Sequence, residues 1–321
     1  RYCYKTIKNI LGILKNQNKG IKMKLYMINY NNSPLLAVSR DQDKFLIPGI
    51  IENCPDYFKS IENFLNYNNG DCNELFHYIK NSNLEEINIL EKDILAPISR
   101  PKQNIICMGL NYEDHIKESE KVFLKDIKRP KFPIIFTKSS LSINSPYGEI
   151  PLRDNVSVEL DWESELAIVI GKPGIQIKKE NAYDHIFGYM VLNDISARDI
   201  QRKHKQFFLG KSLPGACPIG PCLVSKDEIN DPHNLDIFCK INGVIKQESN
   251  TKHQIFDIPT QIETISRSTY LVPGDIIATG TPSGVGFART PPEFLKDGDI
   301  VECEVEKIGK IINKVVDYSH Q

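Results

Sequence analysis

Several features are missing from this sequence, and each absence excludes a class of protein. No apolar run approaches the roughly 18 residues that a membrane-spanning helix needs, so no integral membrane protein is expected. Neither sign of charge dominates, because 40 basic and 41 acidic side chains leave a formal net charge of −1. With no nucleic-acid-binding motif either, nucleic acid is not an expected partner. The 321 residues leave room for one large domain and a smaller one.

Cysteine is present, but its spacing indicates no disulfide framework. The eight cysteines are scattered along the chain, and Cys217 and Cys222 are separated by Pro-Ile-Gly-Pro instead of the two-residue spacing of zinc or redox pairs. We therefore expect free thiols in a reducing compartment, several of them buried as small apolar side chains.

Acidic residues are absent before Asp41, which sets the N-terminus apart. Basic residues dominate the first 22 positions, and Ile7, Ile10, Leu11 and Leu14 have helical spacing. Two interpretations remain open for residues 1–22. They are either a mitochondrial targeting segment, although arginine and serine are scarce for one, or a disordered tail. The first interpretation predicts a mitochondrial protein and the second a cytoplasmic one.

Residues 23–96 show a pattern of their own without catalytic residues. Two strands are predicted at residues 25–28 and 35–38, joined by an Asn-Asn-Ser-Pro turn. Two amphipathic helices are predicted at about residues 58–67 and 74–80.

Two carboxylates stand at the start of an apolar run in residues 161–171. Glu163 and Glu165 precede Leu-Ala-Ile-Val-Ile, which predicts a buried strand. Alternate strand residues share a face, with Cα atoms roughly 7 Å apart. Like charges entering a core are costly unless a cation lies between them, and oxygen ligands suit Mg²⁺, Mn²⁺ or Ca²⁺. A solvated pair at a strand end is the alternative, and this stretch alone does not decide between the two.

A third acidic residue, Asp194, follows the apolar run at residues 186–192. It therefore stands where a buried strand ends, a suitable place for a third ligand. Three carboxylates leave about three positions of an octahedral ion for water and a bidentate substrate. If the chain turns helical after Asp194, then Arg198 and Gln201 face the same way. Arg198 could then clamp a substrate carboxylate or pair with a ligand.

His115 and Glu118 stand three residues apart, so on a helix they share a face. A carboxylate that orients an imidazole produces a general base. An exposed, salt-bridged helix is the alternative. The glycine-rich stretch around Thr281 lacks the lysine of a phosphate-binding loop, which argues against a nucleotide site.

Taken together, the motifs closely resemble those of the fumarylacetoacetate hydrolase family, in the family's order and from about Pro97 to the end. They are Glu163-x-Glu165, Asn193-Asp194-x-Ser196-Ala197-Arg198-Asp199, Gly210-Lys211 and Gly280-Thr281-Pro282. The resemblance implies an α+β fold, with a β-dominated mixed catalytic domain (a β-roll, residues 97–321) behind a small α/β N-terminal domain (residues 23–96). It also implies a homodimer.

The resemblance further implies a role for each candidate residue. The metal ligands would be Glu163, Glu165 and Asp194; the substrate-binding residues Arg198, Gln201 and Thr281; and the catalytic residues His115, Glu118 and Lys211. Among these, the His–Glu dyad would lie on a flexible lid and activate water, while Lys211 would steady an enolate. Lys138 matches a position near the active site, although a surface lysine is equally compatible. Residues 213–216, Leu-Pro-Gly-Ala, depart from the family pattern, which leaves the identity of the substrate open.

The implied activity is that of a Mg²⁺-dependent enzyme, with Mn²⁺ or Ca²⁺ as other possible ions. It would act on a small 2-oxo acid through an enolate held by the metal. The favoured reaction is keto–enol tautomerisation of oxaloacetate, which the most similar branch of the family suggests. The alternatives are hydrolysis of a C–C bond in acylpyruvates and decarboxylation of oxaloacetate. An inactive metal-binding protein is the minor alternative.

Overall fold

The structure is a computed structural model that describes residues 22–39, 42, 44–67, 69–123 and 129–319. The predicted targeting segment or tail therefore lies outside the described residues, except for Lys22. None of the described helices combines the length and apolar character that crossing a bilayer requires.

Strands dominate the described residues. In chain order they are β1 (Lys24–Tyr30), β2 (Ser33–Val38), β3 (Ile94–Leu95), β4 (Ile105–Gly109), β5 (Ile134–Lys138), β6 (Ile143–Asn144), β7 (Ile150–Leu152), β8 (Leu160–Asp161), β9 (Ser164–Ile170), β10 (Ile186–Asn193), β11 (Ser196–Ala197), β12 (Cys217–Ser225), β13 (Asp236–Ile241), β14 (Val244–Asn250), β15 (Ile276–Ala278), β16 (Ile300–Val305) and β17 (Gly309–Asp317). The α-helices of the same residues are α1 (Ile61–Asn66), α2 (Cys72–Lys80), α3 (Glu113–Phe123), α4 (Arg198–Lys203), α5 (Phe208–Lys211) and α6 (Ile258–Ser266).

The largest sheet has the order β2-β1-β12-β10-β9-β15-β4-β5, with β3 beside β1 and β6 beside β12. Its central strands β9 and β10 are buried along their whole length, as their continuous apolar runs predict. They are antiparallel, and Leu192 pairs with Glu165 and Asn193 with Ser164. The end of β10 therefore meets the start of β9, so the two acidic motifs of the sequence lie side by side.

A second sheet, in the order β14-β13-β16-β17-β7, packs against the first. Burial alternates along β13 and β16, so each presents one apolar face to the core. Side chains of both sheets, including Ile168 of β9 and Cys239 of β13, belong to one hydrophobic core. The result is the predicted β-dominated α+β architecture.

The elements before residue 97 are joined to the large sheet. Strands β1 and β2 contain the two predicted strands, and β1 pairs with β12 through Lys24–Val224 and Leu25–Leu223. The first predicted helix is shorter in the structure, because the Ser60 side chain accepts a hydrogen bond from the Asn63 amide and starts α1 at Ile61. The division into domains 23–96 and 97–321 stays a prediction.

The cysteines of the described residues are all free thiols, and all but Cys72 are buried. Cys239 and Cys303 pair across β13 and β16, with their sulfur atoms 3.9 Å apart.

Candidate active site

The three acidic residues that the sequence indicates as ligands converge at the junction of β9 and β10. Glu163, Glu165 and Asp194 each place a carboxylate oxygen within 4.8 Å of the other two. All three are buried, with at most 5% of any one residue exposed. The Asp194 amide donates to the Glu163 carbonyl at 2.9 Å, so the backbone itself holds two of them together. A solvated pair at a strand end, the alternative from sequence, does not occur.

Glu163 is held by two cations. Arg198 donates from one terminal guanidinium nitrogen to Oε1 at 2.6 Å, and Lys211 donates to Oε2 at 2.7 Å. Burial by itself raises the pKa of Glu163, but the charges of Lys211 and Arg198 outweigh it and hold that pKa below its usual range. Glu163 is therefore a carboxylate anion with its charge matched by the protein.

No cation of the described residues forms such an ion pair with Glu165. Its Oε2 accepts one hydrogen bond, from the Gly280 amide at 2.7 Å. Burial, together with the charges of Asp194 and Glu163, raises the pKa of Glu165 well above its ordinary value. A buried carboxylate beside two others is the arrangement that a bound cation relieves.

Asp194 lies between two lysines. Lys211 donates to Oδ2 at 2.7 Å. Lys138 places Nζ 2.7 Å from Oδ1, but it donates its hydrogen bond to the Ile195 carbonyl at 3.0 Å. The contact between Lys138 and Oδ1 is therefore an ion pair without hydrogen-bond alignment. Lys138 is 0% exposed, so the interpretation of this residue as a surface lysine is wrong.

We call this buried cluster the floor of the site. Its members are Asp161, Glu163, Glu165, Asp194, Lys138, Arg198 and Lys211. With all four carboxylates ionised, the three cations of the floor leave one negative charge unmatched. The crowded Glu165 carboxylate, within 4.8 Å of those of Glu163 and Asp194, fits a divalent cation, and the oxygen-only donor set favours a hard one. The residues present can therefore hold such an ion.

Arg198 connects the floor to its surroundings. It donates through Nε to Asp161 at 2.8 Å and through its other terminal nitrogen to Gln201 Oε1 at 3.0 Å. Its guanidinium carbon lies 4.5 Å from the centre of the Phe287 ring. Asp161 in turn accepts from the Gly286 amide at 2.6 Å. Together these contacts hold the Arg198 guanidinium group in one position.

Helix α3 forms what we call the lid. His115 Nδ1 lies 2.7 Å from Glu118 Oε1, and Glu118 Oε2 accepts from the Gly284 amide at 2.8 Å. His115 is 6% exposed, so the alternative of an exposed, salt-bridged helix is wrong for this residue. Because Glu118 holds Nδ1, the other ring nitrogen, Nε2, is the one available for proton exchange.

The glycine-rich loop after β15 joins the floor and the lid. Thr281 Oγ1 donates to the Ser164 carbonyl at 2.9 Å and accepts from Gln247 Nε2 at 2.8 Å. Gly280 has φ +98°, and a Cβ atom there would lie 2.7 Å from the Cβ of Asn111. Glycine is therefore required where this loop passes the start of the lid.

A cavity of about 390 Å³ opens onto these groups. Six of the nine predicted site residues line it: His115, Glu163, Arg198, Gln201, Lys211 and Thr281. The other three, Glu118, Glu165 and Asp194, contact these lining residues or their backbone neighbours from behind. The structure thus brings the nine residues together, while their individual roles stay predictions.

Comparison with known proteins identifies the family of this chain. Residues 104–316 match the family described as fumarylacetoacetate (FAA) hydrolase, C-terminal. The chain belongs to the fumarylacetoacetate hydrolase family. It is 49% identical over 228 residues to the human protein named oxaloacetate tautomerase FAHD2A, mitochondrial, a match that covers 70% of each chain.

Two further similarities extend this result. Oxaloacetate tautomerase YisK of Bacillus subtilis is 46% identical over 225 residues, which are 70% of this chain and 73% of the relative. The solved fumarylacetoacetate hydrolase structure from Exiguobacterium antarcticum aligns with 92% of this chain and 99% of its own, at a TM-score of 0.77 and 33% identity. The predicted family and fold class, and the interpretation as an enzyme, are confirmed.

Three residues at the site were not assigned from the sequence, and a fourth, Lys138, was matched to a position near the active site without a role. Asp161 stands two positions before Glu163, and the same strand alternation that indicated Glu165 could have indicated it. Lys138 ends an apolar strand, which is a signal for a buried side chain as much as for an exposed one. Arg202 stands four residues after Arg198, a spacing that could have indicated it once the helix was assumed, whereas Phe287 carries no signal, because only the fold places it at the cavity.

Proposed function

We propose that this chain is a Mg²⁺-dependent oxaloacetate tautomerase. The observation that carries the proposal is the cluster of three buried carboxylates, one of which, Glu163, lines the same cavity as Lys211 and His115. The relatives named oxaloacetate tautomerases, at 46% and 49% identity, support this choice of substrate. Mg²⁺ is preferred to Mn²⁺ or Ca²⁺ because three carboxylate oxygens leave about three positions of its octahedral shell for substrate oxygens and retained water.

Tautomerisation moves one proton between C3 and the C2 oxygen of the 2-oxo acid. When bound, the dication would polarise the C2 carbonyl and acidify C3. His115 Nε2 is the group that would take or return the C3 proton, and Glu118 fixes the ring for that exchange. Lys211 donates two of its three N–H groups in hydrogen bonds to Glu163 and Asp194. Its third donor would stabilise the charge that develops on the C2 oxygen.

Two side chains would orient the carboxylate next to the reacting carbonyl. Gln201 accepts from Arg198 through Oε1, which leaves its amide N–H groups as donors toward the cavity that it lines. Thr281 lines the same cavity, and its hydroxyl would bond the second carboxylate oxygen by reorienting from the Ser164 carbonyl.

Hydrolysis of a C–C bond in an acylpyruvate is the second candidate. The observation that favours it is the His115–Glu118 pair, whose 2.7 Å contact suits activation of a water molecule. The same site could also release CO₂ from oxaloacetate, because an enolate is the product of that step as well. The three reactions differ in which bond breaks, so one preparation can separate them.

The test follows three readouts with purified protein, with Mg²⁺ and with a chelator. They are the loss of oxaloacetate enol absorbance, the release of CO₂, and the cleavage of acetylpyruvate. We expect Mg²⁺-dependent loss of the enol to be the fastest. Faster acetylpyruvate cleavage, abolished in His115→Ala, would replace the tautomerase by the hydrolase. Equal tautomerase rates in Glu163→Gln and in the exposed-site control Glu180→Gln would refute the assigned site.

An inactive metal-binding protein is the remaining alternative. It predicts that folded, Mg²⁺-loaded protein turns over none of these acids. Lys211 and Arg198, both in contact with Glu163, favour an active site over this alternative.

We further propose that the protein is a mitochondrial homodimer. The human relative is named as mitochondrial, and the basic N-terminal segment of this sequence is compatible with import. Light scattering of purified protein tests the dimer, and imaging of the full chain fused to a fluorescent protein tests the location. A monomer, or diffuse cytoplasmic fluorescence, would contradict the respective proposal.

A further inference from the structure

The cations of the floor are already committed to the protein's own acidic groups. Arg198 uses its three guanidinium nitrogens on Asp161, Glu163 and Gln201 and is 5% exposed. Lys211 bridges Glu163 and Asp194. A four-carbon 2-oxo diacid carries two carboxylates, and only the one beside the 2-oxo group would lie against a dication on the floor. The second carboxylate therefore needs a cation elsewhere in the cavity.

Arg202 is a cation on the cavity wall outside the floor. It stands four residues after Arg198 on α4, and both residues line the cavity, as expected for positions one turn apart. One helical turn rises about 5.4 Å, which is of the order of the span of a four-carbon chain. Among the lining residues of the described chain, Arg198, Arg202 and Lys211 are the cations.

Arg202 is held in place without being saturated. One terminal guanidinium nitrogen donates to both carboxylate oxygens of Glu159, at 2.7 and 2.5 Å. Its Nε and its other terminal nitrogen have no hydrogen-bond partner among the described residues. Its side chain is 46% exposed, compared with 6% for Arg198. The guanidinium can therefore still offer donors to a ligand.

The rest of the cavity wall strengthens the case for Arg202. Its lining includes the apolar side chains of Met108, Leu110, Ile134, Phe136, Phe207 and Phe287. A carboxylate placed against these side chains would lose water without gaining a partner, which costs free energy. Arg202 supplies the charge and the planar pair of donors that a carboxylate requires.

We propose that Arg202 is a specificity-determining residue that binds the distal carboxylate of a dicarboxylic 2-oxo acid. The inference rests on the proposed function, because it assumes that the neighbouring 2-oxo acid group lies on the floor. It divides the site into two parts. The floor binds the group common to all 2-oxo acids, and Arg202 selects those that end in a second carboxylate.

The test compares oxaloacetate with 2-oxobutyrate, which carries a methyl group in place of the distal carboxylate. Exchange of the C3 protons for deuterium, followed by NMR above the uncatalysed rate, reports the same step for both acids. In Arg202→Met we expect the KM for oxaloacetate to rise about tenfold, as for loss of a charged hydrogen bond, with kcat within about twofold. Both constants for 2-oxobutyrate should stay within about twofold. Arg202→Lys should recover part of the KM, because it keeps the charge but not the fork of donors.

The matched control is Lys203→Met, which removes an adjacent exposed cation that does not line the cavity. We expect it to leave all four constants unchanged, which separates recognition of the carboxylate from a general loss of positive charge. Equal effects of Arg202→Met on both acids, or no effect on either, would overturn the assignment of Arg202 while leaving the proposed function intact. Absence of exchange with either acid in the unmodified, Mg²⁺-loaded protein would instead refute the proposed function, and this inference with it.

Discussion

The floor and the lid of the cavity hold their charged groups in different ways. On the floor, Asp194 contacts two lysines, and Lys138 is 0% exposed. In the lid, a single contact of 2.7 Å joins His115 to Glu118, and one backbone amide, that of Gly284, anchors the pair. Replacing Glu163 or Asp194 therefore leaves buried lysine or arginine charges without a partner, whereas we expect replacement of His115 to remove one group and disturb little else.

This difference separates two kinds of contribution to the same reaction. If the floor binds the ion as proposed, the same carboxylates serve stability, ion binding and activity. We expect that the contribution of the lid can be removed without unfolding the protein. Four substitutions test that separation, in order of decreasing expected effect.

Asp194→Asn should have the largest effect on activity and on stability. It removes a ligand and leaves Lys138 and Lys211 in a buried site with one carboxylate fewer. We expect tautomerase activity to fall by about a thousandfold or more and the free energy of unfolding to fall by about 3–5 kcal/mol. Enol absorbance and urea unfolding measure the two effects. Asp184→Asn, at an exposed position, is the control and should change neither.

His115→Ala should affect chemistry alone. We expect kcat to fall by about 10²–10⁴-fold, the usual contribution of a general acid–base group. The rise in unfolding temperature on adding Mg²⁺ should match that of the unmodified protein, because His115 does not belong to the floor. His204→Ala, which changes an exposed histidine, should leave kcat unaltered. Loss of the Mg²⁺ effect in His115→Ala would show that lid and floor are not separable.

Gly280→Ala tests the glycine-rich loop that connects the floor with the lid. The added methyl group would lie 2.7 Å from Asn111 Cβ, at a backbone φ of +98°. We expect a loss of about 1–3 kcal/mol in the free energy of unfolding, together with a smaller loss of activity. Gly274→Ala separates the two causes, because Gly274 has φ +89° but nothing within 4 Å of its added Cβ. Equal losses in the two variants would attribute the whole effect to φ and remove the steric argument.

Glu165→Gln should have the smallest effect on stability, and its direction is informative. Burial and two neighbouring carboxylates raise the pKa of Glu165, and no described cation pairs with it. A neutral amide keeps an oxygen acceptor for the Gly280 amide and removes the repulsion. In metal-free protein we therefore expect the unfolding temperature to stay the same or rise, whereas Glu163→Gln, which frees Arg198 and Lys211, should lower it. A drop of equal size in both variants, measured by calorimetry, would contradict this view of the floor.

The carboxylates of the floor could be predicted from the sequence better than the other residues that line the cavity, for a physical reason. Glu163, Glu165 and Asp194 lie at the ends of continuous apolar strands, and strand alternation indicates which side chains share a face. Which strands become neighbours is a tertiary property, so the approach of Asp194 to Glu163 could be expected only by resemblance to the family.

Contacts made by loops and isolated side chains could not be foreseen in this way. Lys138 is buried where its ammonium group bonds the Ile195 carbonyl and lies against Asp194, whereas its sequence fits a surface position equally well. The predicted use of Arg198 as a substrate clamp did not anticipate that Asp161 would engage its Nε. Helix limits shifted by a few residues because caps such as Ser60 determine where a helix starts.

The most direct test of the account is a calorimetric titration of metal-free protein with Mg²⁺, comparing the unmodified chain with Glu165→Gln. That variant should fold as well as the unmodified protein, so a difference in binding reports the site itself. We expect about one ion per chain in the unmodified protein and affinity weaker by about tenfold or more in the variant. Equal affinity in the two proteins, or no binding to the unmodified one, would contradict the claim that these three carboxylates hold the catalytic ion.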